Sequence, residues 1–589
     1  MGPAGSPFVE VPPTVNRSPS RWQVSPQALP SHLSQFSHHH PLLVQVLYNR
    51  GIVHPIDVDA FLDGGEDAAD PFALQGVTAA VARIRRALRD GERIAIYGDF
   101  DVDGVTATAL LVETLEALGG TVQPYIPHRV DEGYGLHADA LSELAGAGTG
   151  LVITVDCGIR AFDEVAHARR LGLDVIVTDH HSVGDRLPNS VAVIDPFRVE
   201  EPAEELAGCG VAFRLAQALL RSHGQSPLTD REVSLEEEDL VDLVALGTVG
   251  DMVPLRGTNR SLVRRGLERI NAMGRLGLRT LCRQAGVKAG AVDAEALSYV
   301  IGPRLNAAGR LAHADVAYRL LTARDPVEAQ QLAAQLDSLN RERQQLTREA
   351  HQAARQIVME TGADALLFAA GTEFPPGIVG LVASRLVDEF YRPAVVVEIG
   401  EETSRGSCRS IPDFNITQSL EACEDLLIRY GGHAAAAGFE VANASLDALA
   451  GRLGQVVEEG LARVDLTPVL TVDAVVSLSE LSWDLQRELA RLEPCGYGNP
   501  RPLLASRGVP VRHYRAVGRE ERHLKLALAD GSATWDAIAF RQGAWAGQLP
   551  EVIDMAYYLE VNDWNNQHRL QLNVQDIRAA DGGRWTMDG

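Results

Sequence analysis

Cysteine is scarce and never paired in this chain of 589 residues: positions 157, 209, 282, 408, 423 and 495 stand apart, with no C-x-x-C spacing. Neither a disulfide framework nor a zinc site is expected, and the usage fits a reducing cytoplasm. Uninterrupted apolar runs of about 18 residues are missing too, so no membrane-spanning helix is expected. The opening stretch MGPAGSPFVEVPPTVNRSPS lacks a basic region followed by an apolar core and does not read as a signal peptide. Gly2 and Ser6 meet a loose myristoylation pattern, which the proline-rich company reduces to a coincidence of spelling. The glycine motifs G-x-G-x-x-G and Walker A are absent, so a nucleotide cofactor is not indicated. Positive charge is in short supply: the net charge of −25 excludes nucleic-acid binding over the whole surface.

What is present is ample material for several cores, with 46% hydrophobic residues and a length that suggests about three to four domains. One local exception to the acidity runs from Arg256 to Arg310, where eleven Lys/Arg face only Glu268, Asp293 and Glu295. It reads either as a local anion-binding patch or as a solvated basic face on helices.

Residues 1–40, rich in Pro, Ser and His, read as a flexible leader, with His38-His39-His40 solvated rather than metal-binding. From 41 to 322 short helices give way to an α/β alternation. RIAIYGD, VQPYIP, GLVITVD, DVIVTDHH and SVAVIDP are short apolar strands with helical segments among them, which predicts a parallel sheet covered on both faces. A long helix follows over 323–361, opened by Asp325, Pro326 and Glu328 and stopped at Thr361-Gly362. A second, smaller α/β unit occupies 362–462. Short strands with turn residues over 463–578 suggest a small barrel of the oligonucleotide-binding kind, and 579–589 is a tail.

The chemistry-bearing residues of the first unit fall where strands end. Asp99, Asp101 and Asp103 follow the first strand, Asp156 ends the next, and Asp179-His180-His181 ends another. In an open parallel sheet the ligand site lies outside the carboxyl ends of the strands, so these residues should converge. Asp251, in GTVGDMVP, is a plausible fourth contributor. Carboxylates with one or two imidazoles suit divalent cations such as Mn²⁺. So many acids suggest two ions about 3.5–4 Å apart, bridged by one carboxylate and able to bind a phosphoryl oxygen.

The segments DFDVDG, DCGI, TDHH and GTVGDMVPL resemble the four motifs of the DHH phosphoesterase family. GPRLNAAGRL (302–311), GSCRS (406–410), RYGGHAAAAGFEV (429–441) and EPCGYGNPRP (493–502) resemble its RecJ branch of single-strand-specific exonucleases. The resemblance runs over roughly residues 41 to 575, in the family's order. It implies a DHH catalytic domain at 41–322 and a DHHA1-type substrate-binding domain at 362–462, joined by the long helix and followed by the barrel. It also implies two Mn²⁺ or Mg²⁺ ions. Asp103, Asp156, His180 and Asp251 would hold one; Asp101 and the bridging Asp156 would hold the other, with Asp99 in the outer shell; and His181 would face the scissile phosphate. On the DNA side the resemblance names Arg304, Asn306 and Arg310 in the first lobe, and Arg405, Ser407, Arg409, Gly432 and His433 in the second.

The implied activity is 5′→3′ hydrolysis of single-stranded DNA to 5′-mononucleotides by two-metal activation of water, in DNA repair and recombination. The implied partners are single-strand-binding protein and a helicase, in the cytoplasm and away from membranes. An alternative within the family is a phosphodiesterase for short oligonucleotides or cyclic dinucleotides. A non-catalytic DNA-binding scaffold is disfavoured by the complete ligand set. One departure stands out: Phe374-Pro375-Pro376-Gly377 replaces the family's Trp-His-Pro-Gly, so no role passes to a histidine there and Phe374 reads as a packing residue. In the barrel, Trp535, Phe540, Tyr557, Tyr558 and Trp564 either stack bases or fill the core.

Overall fold

The computed structural model describes residues 20–63, 69–199, 204–228, 233–362, 365–531, 533–564, 567–580 and 586–587. Residues 20–40 depart from the expected leader. Strand β1 (Arg21–Val24) lies parallel to a strand from the far end of the chain, with Arg21 opposite Val469. Trp22 is buried there, and its indole N–H donates to the Asp576 carboxylate at 2.7 Å. The rest of the expected leader, residues 1–19, and the tail positions 581–585 and 588–589 lie outside the described residues.

The first lobe is built on five parallel strands: β2 (Arg93–Tyr97), β3 (Thr121–Tyr125), β4 (Thr149–Thr154), β5 (Asp174–Thr178) and β6 (Ala192–Ile194). Their order is β3-β2-β4-β5-β6, all parallel. Alternation sends Ile94 and Ile96 of β2 into one core and Ala95 and Tyr97 into the other, which is why the strand reads as continuously apolar. The chain reverses direction across the sheet at β2, with β3 on one side and β4 on the other. That is the switch point where the carboxyl ends of neighbouring strands open a crevice.

The helix Pro326–Thr361 links the lobes. Asp325 caps it by accepting from the N–H groups of Val327 and Glu328, and its 36 residues span about 54 Å. Its first half (Ala329, Leu332, Ala333, Leu336) is buried in the first lobe's core, and its second half (Ala350, Ala354, Val358) in the second's. One rigid rod therefore sets the width of the cleft. The second lobe carries a mixed sheet of β7 (Leu367–Gly371), β8 (Ala394–Ile399), β9 (Thr403–Arg409), β10 (Leu427–His433) and β11 (Ala436–Ala442), in the order β10-β11-β9-β8-β7. Phe374 is buried against Ile378 and Val382, the packing position expected for it.

After β12 (Val469–Val472), the partner of β1, the short β13 (Ala474–Val475) leads to a closed five-stranded barrel. Its strands are β14 (Leu504–Val517), β15 (His523–Asp530), β16 (Ala533–Ala539), β17 (Val552–Trp564) and β18 (Gln567–Ala579); β14 pairs with both β15 and β17 and closes the ring. A register shift between Val511 and His513 lets β14 bend from one partner toward the other. Of the barrel aromatics, Tyr557 is a core residue, fully buried with its hydroxyl on Ser506, and Trp535 packs against the core. Phe540 lies edge-on to the His523 ring, Tyr558 is half-buried beneath the Arg501 guanidinium, and the side chain of Trp564 lies outside the described residues.

The basic span 256–310 does not form one face. Arg275 pairs with Glu113 and Asp242, Arg269 with Asp239, and Arg265 with Glu238. Arg260 is buried and donates to the carbonyls of Phe61, Arg491, Leu492, Glu493 and Pro494. It thereby ties the N-terminal helices and the segment leading to the barrel onto the first lobe. Among the described residues no helix is long and apolar enough to cross a membrane.

Candidate active site

At the end of β2 the chain turns sharply, and Asp101 caps the helix Val102–Ala117 by accepting from the N–H groups of Asp103 and Gly104. The side-chain carbonyl of Asn306 accepts from Val102 N–H at 2.8 Å and steadies this loop from the side. Asp103 is fully buried. Its carboxylate accepts from the N–H groups of Gly208 (2.7 Å) and Cys209 (2.9 Å), at the start of the helix Gly208–Gln225. A helix N-terminus is the natural seat for an anion. Only glycine fits at 208, because a Cβ there would lie 2.7 Å from that of Asp156.

Asp156 follows β4 in the left-handed backbone region (φ 61°), an unfavourable conformation for a non-glycine residue and one that concentrates at functional sites. It accounts for the convergence: His180 Nε2 lies 3.0 Å from Asp156 Oδ1, 3.6 Å from Asp251 Oδ2 and 3.9 Å from Asp103 Oδ2. Three sets of potential ligand atoms result, each within 4.8 Å of one another: Asp103/His180/Asp251, Asp99/Asp101/Asp156 and Asp156/His180/His181. Asp99, expected in an outer shell, sits at ligand distance from Asp101 and Asp156, and its Oδ1 is buried without a hydrogen-bond partner.

The electrostatics are those of an excess of acid. Burial, then Asp101, pushes the Asp99 carboxyl up to about 8; burial, then Asp103, does the same to Asp251. Burial and the surrounding carboxylates drive Asp156 well above its ordinary value. Burial opposes charge on His180, but Asp103 and Asp251 outweigh it and raise the ring's pKa. One imidazolium cannot balance five carboxylates. A dense O/N donor set, a buried orphan oxygen and like charges within ligand distance are what divalent cations would relieve, so the residues fit such ions.

Asp179 has a different role. Burial would raise it, yet the hydrogen bond from His181 Nδ1 (2.7 Å) and the N–H of Ile159 (2.9 Å) hold it below the usual carboxylate range. Asp179 thus fixes the orientation of His181, helped by the Tyr134 hydroxyl, 3.1 Å from the same nitrogen and donating to the Asp156 carbonyl.

Facing this cluster is one of opposite sign. Arg409 of β9 donates to Ser407 Oγ at 3.0 Å; Arg310 donates to the Gly377 carbonyl at 3.0 Å; Arg129 lies 3.9 Å above the Phe100 ring. None of the three pairs with a carboxylate in an ion pair among the described residues. Burial pushes Arg310 down to about 9, reinforced by Arg129, Arg343 and Arg409. Arg405 reaches across the cleft to the Val130 carbonyl at 2.9 Å. The His433 ring lies nearly parallel to that of His181, with centroids 6.4 Å apart. The strand position before it needs Gly432 (φ 147°), where a Cβ would lie 2.4 Å from the Ala436 carbonyl oxygen. Arg304 is turned away, its guanidinium held by Asp337 at 3.0 Å and by the Val300 carbonyl at 2.7 Å.

Residues 93–248 match the DHH family N-terminal domain, 363–459 the DHHA1 domain and 472–576 the RecJ OB domain. The single-stranded-DNA-specific exonuclease RecJ of Bacillus subtilis is 37% identical over 582 residues, covering 97% of this chain and 72% of that protein. The chain belongs to the RecJ family. RecJ from Thermus thermophilus, solved in complex with Mn²⁺, superposes with a TM-score of 0.83 at 33% identity, covering 97% of this chain and 80% of that one. The same protein solved with Mg²⁺ gives 0.77 at 31% identity, covering 97% and 79%.

Arg129 and Tyr134 are residues beside the aspartate cluster that the sequence reading passed over. Both lie in the loop after β3, at the same carboxyl edge of the sheet as the aspartates, and that position was their available signal.

Proposed function

We infer that this RecJ-family chain is a metal-dependent exonuclease acting on single-stranded DNA. The observation that carries it is the pair of ligand sets Asp103/His180/Asp251 and Asp99/Asp101/Asp156, linked through the Asp156–His180 contact and set beside arginines from both lobes. Asp103, Asp156, His180 and Asp251 would hold one Mn²⁺ or Mg²⁺ ion, and Asp99, Asp101 and Asp156 a second. Such ions supply charge neutralisation at the phosphoryl group and an activated water.

The chain's own side chains supply the rest. The helix N-terminus at Gly208 and Cys209 holds Asp103 in place, and Asn306 holds the loop that presents Asp101. Asp179 takes the Nδ1 side of His181, leaving Nε2 for the scissile phosphate. His433, parallel to His181, brings the second lobe onto the same phosphate. Arg129, Arg310, Ser407 and Arg409 would bind the strand's 5′ end. A terminal phosphate carries about −1.5 to −2 charges where an internal diester carries one, so desolvated guanidiniums select the end. Anchored there, the strand is cut from 5′ to 3′ and releases 5′-mononucleotides. We place this activity in DNA repair and recombination, in the cytoplasm, on strands opened by a helicase and coated by single-strand-binding protein.

The test uses a 5′-phosphorylated oligonucleotide, single-stranded or in blunt duplex, labelled at either end, with Mn²⁺ or Mg²⁺. Mononucleotides should leave the 5′ end of the single strand only, and a chelator should abolish their release. Survival of long strands while dinucleotides or cyclic dinucleotides are cut would reassign the substrate to short oligonucleotides.

A further inference from the structure

A second gathering of metal-ligating side chains lies far from the aspartates, in the histidine run that the sequence reading treated as solvated. The three histidines have separate environments. His40 caps the helix Pro41–Asn49, its Nδ1 accepting from Leu42 N–H at 3.2 Å. His38 and His39, their ring centroids 4.1 Å apart, turn instead toward Asp59 of the helix Pro55–Asp63. One ligand atom from each of the three lies within 4.8 Å of the other two.

His39 is not a surface side chain. Only 6% of it is exposed, and its Nε2 is buried with no hydrogen-bond partner. Its Nδ1 lies 3.0 Å from Arg491 Nη1 and 3.7 Å from Glu488 Oε2, both contributed by the segment that leads to the barrel. A buried ring nitrogen left without a partner is destabilising, and two imidazoles packed against each other beside a carboxylate bring three possible ligand atoms within reach of one ion.

We propose that His38, His39 and Asp59 form a zinc-class divalent cation site, distinct from the catalytic ions. Two imidazoles and one carboxylate are a donor set for zinc and its first-row neighbours, with a fourth position left for water. The catalytic sets are richer in oxygen and suit Mn²⁺ or Mg²⁺. With Nε2 of His39 on the cation, its Nδ1–H donates to Glu488, the carboxylate that orients a metal-bound histidine from behind. Arg491, freed from Nδ1, keeps Glu488 (3.3 Å) and Asp63 (3.8 Å) as partners.

The site's role follows from where it lies. Phe61 and Leu62, just past Asp59, pack with Leu492, and their carbonyls accept from Arg260 and Arg264. The cation thus fixes the junction where the N-terminal helices, the first lobe and the approach to the barrel meet. It stabilises the barrel's attachment and takes no part in hydrolysis.

The experiment uses the full chain without a histidine tag, loaded with zinc, dialysed into metal-free buffer and analysed for zinc by elemental analysis. His38→Ala, Asp59→Asn and the active-site variant Asp103→Asn are treated alike. His38 and Asp59 are exposed, so their replacement leaves the core intact. The expected result is one retained zinc per chain in the unsubstituted protein and in Asp103→Asn, and none in His38→Ala or Asp59→Asn. Zinc should raise the Tm of the unsubstituted chain and leave that of His38→Ala unmoved, with mononucleotide release from short strands unchanged in both outer variants. An unsubstituted chain that retains no zinc overturns the proposal. So does a His38→Ala or Asp59→Asn chain that retains as much as the unsubstituted one.

Discussion

The aspartate cluster and the arginine cluster that faces it are opposite in sign and alike in construction. Asp99, Asp103 and Asp156 are buried together and pushed up, Asp99 to about 8. Arg310 and Arg409 are half-buried and pushed down, Arg310 to about 9. The two groups lie close enough for Arg129 to act on both, yet among the described residues no arginine forms an ion pair with Asp99, Asp101, Asp103, Asp156 or Asp251. Elsewhere the same chain pairs its charges readily, as Arg275 does with Glu113 and Asp242. Like charge kept buried and unpaired is destabilising in the free protein. The contrast teaches that this segregation is binding capacity: it suits the carboxylates to cations and, on the proposed reading, the guanidiniums to phosphate.

The sharpest way to break the comparison is to remove the carboxylate common to the acidic side. Asp156→Ala should lower mononucleotide release by about 10³-fold or more, because the proposed assignment makes Asp156 a ligand to both ions. A loss of less than about tenfold would reject the shared-ligand geometry. On the basic side, Arg409→Ala should raise KM for a 5′-phosphorylated strand by about 10–100-fold, the worth of one charge-assisted hydrogen bond. The same variant should leave cleavage of a 5′-hydroxyl strand nearly unchanged; equal losses on both strands would show that Arg409 binds the backbone and not the end.

A smaller effect tests the acidic cluster without substrate. Asp99 and Asp251 titrate near 8 in the folded chain and near 4 when unfolded, so between these values the folded state holds more protons. Their contribution to stability is therefore full below about pH 4 and lost as pH rises toward about 8. In chelator, Tm measured from about pH 5 to about pH 8 should fall, and saturating Mn²⁺ should flatten the curve by taking the protons' place. A Tm indifferent to Mn²⁺ throughout would count against cation binding at these carboxylates.

Much of this was legible in the sequence because the signals were local. Apolar strands ending in Asp or His announced both the sheet and its working edge, and the cap at Asp325 announced the connecting helix. What escaped was non-local. β1 looks like part of a proline- and serine-rich leader until its partner, nearly 450 residues away, is known. The basic span 256–310 counts as strongly positive only while its acids, Glu113, Asp239 and Asp242, are out of sight. His38 and His39 looked solvated because neither Asp59 nor the Glu488–Arg491 lid adjoins them in the chain.

Arg304 is where a motif and a structure part company, and it carries the smallest predicted effect on activity. It lies on the same helix as Arg310, six residues earlier, but on a different face: Arg310 reaches the Gly377 carbonyl of the second lobe, while Arg304 turns back to Asp337 of the connecting helix. With the guanidinium only 16% exposed and Asp337 only 7%, the pair is a clamp between helices, not a free cation. Arg304→Ala should therefore cost about 1–3 kcal/mol of stability, the price of leaving a buried carboxylate short of a donor. Arg341, also on Asp337, limits that loss. KM for single-stranded DNA should stay within about twofold, whereas Arg310→Ala should raise it. If Arg304→Ala weakens DNA binding as much as Arg310→Ala does, the Asp337 pair opens when the strand arrives, and the arginine cluster is one residue larger than the free protein displays.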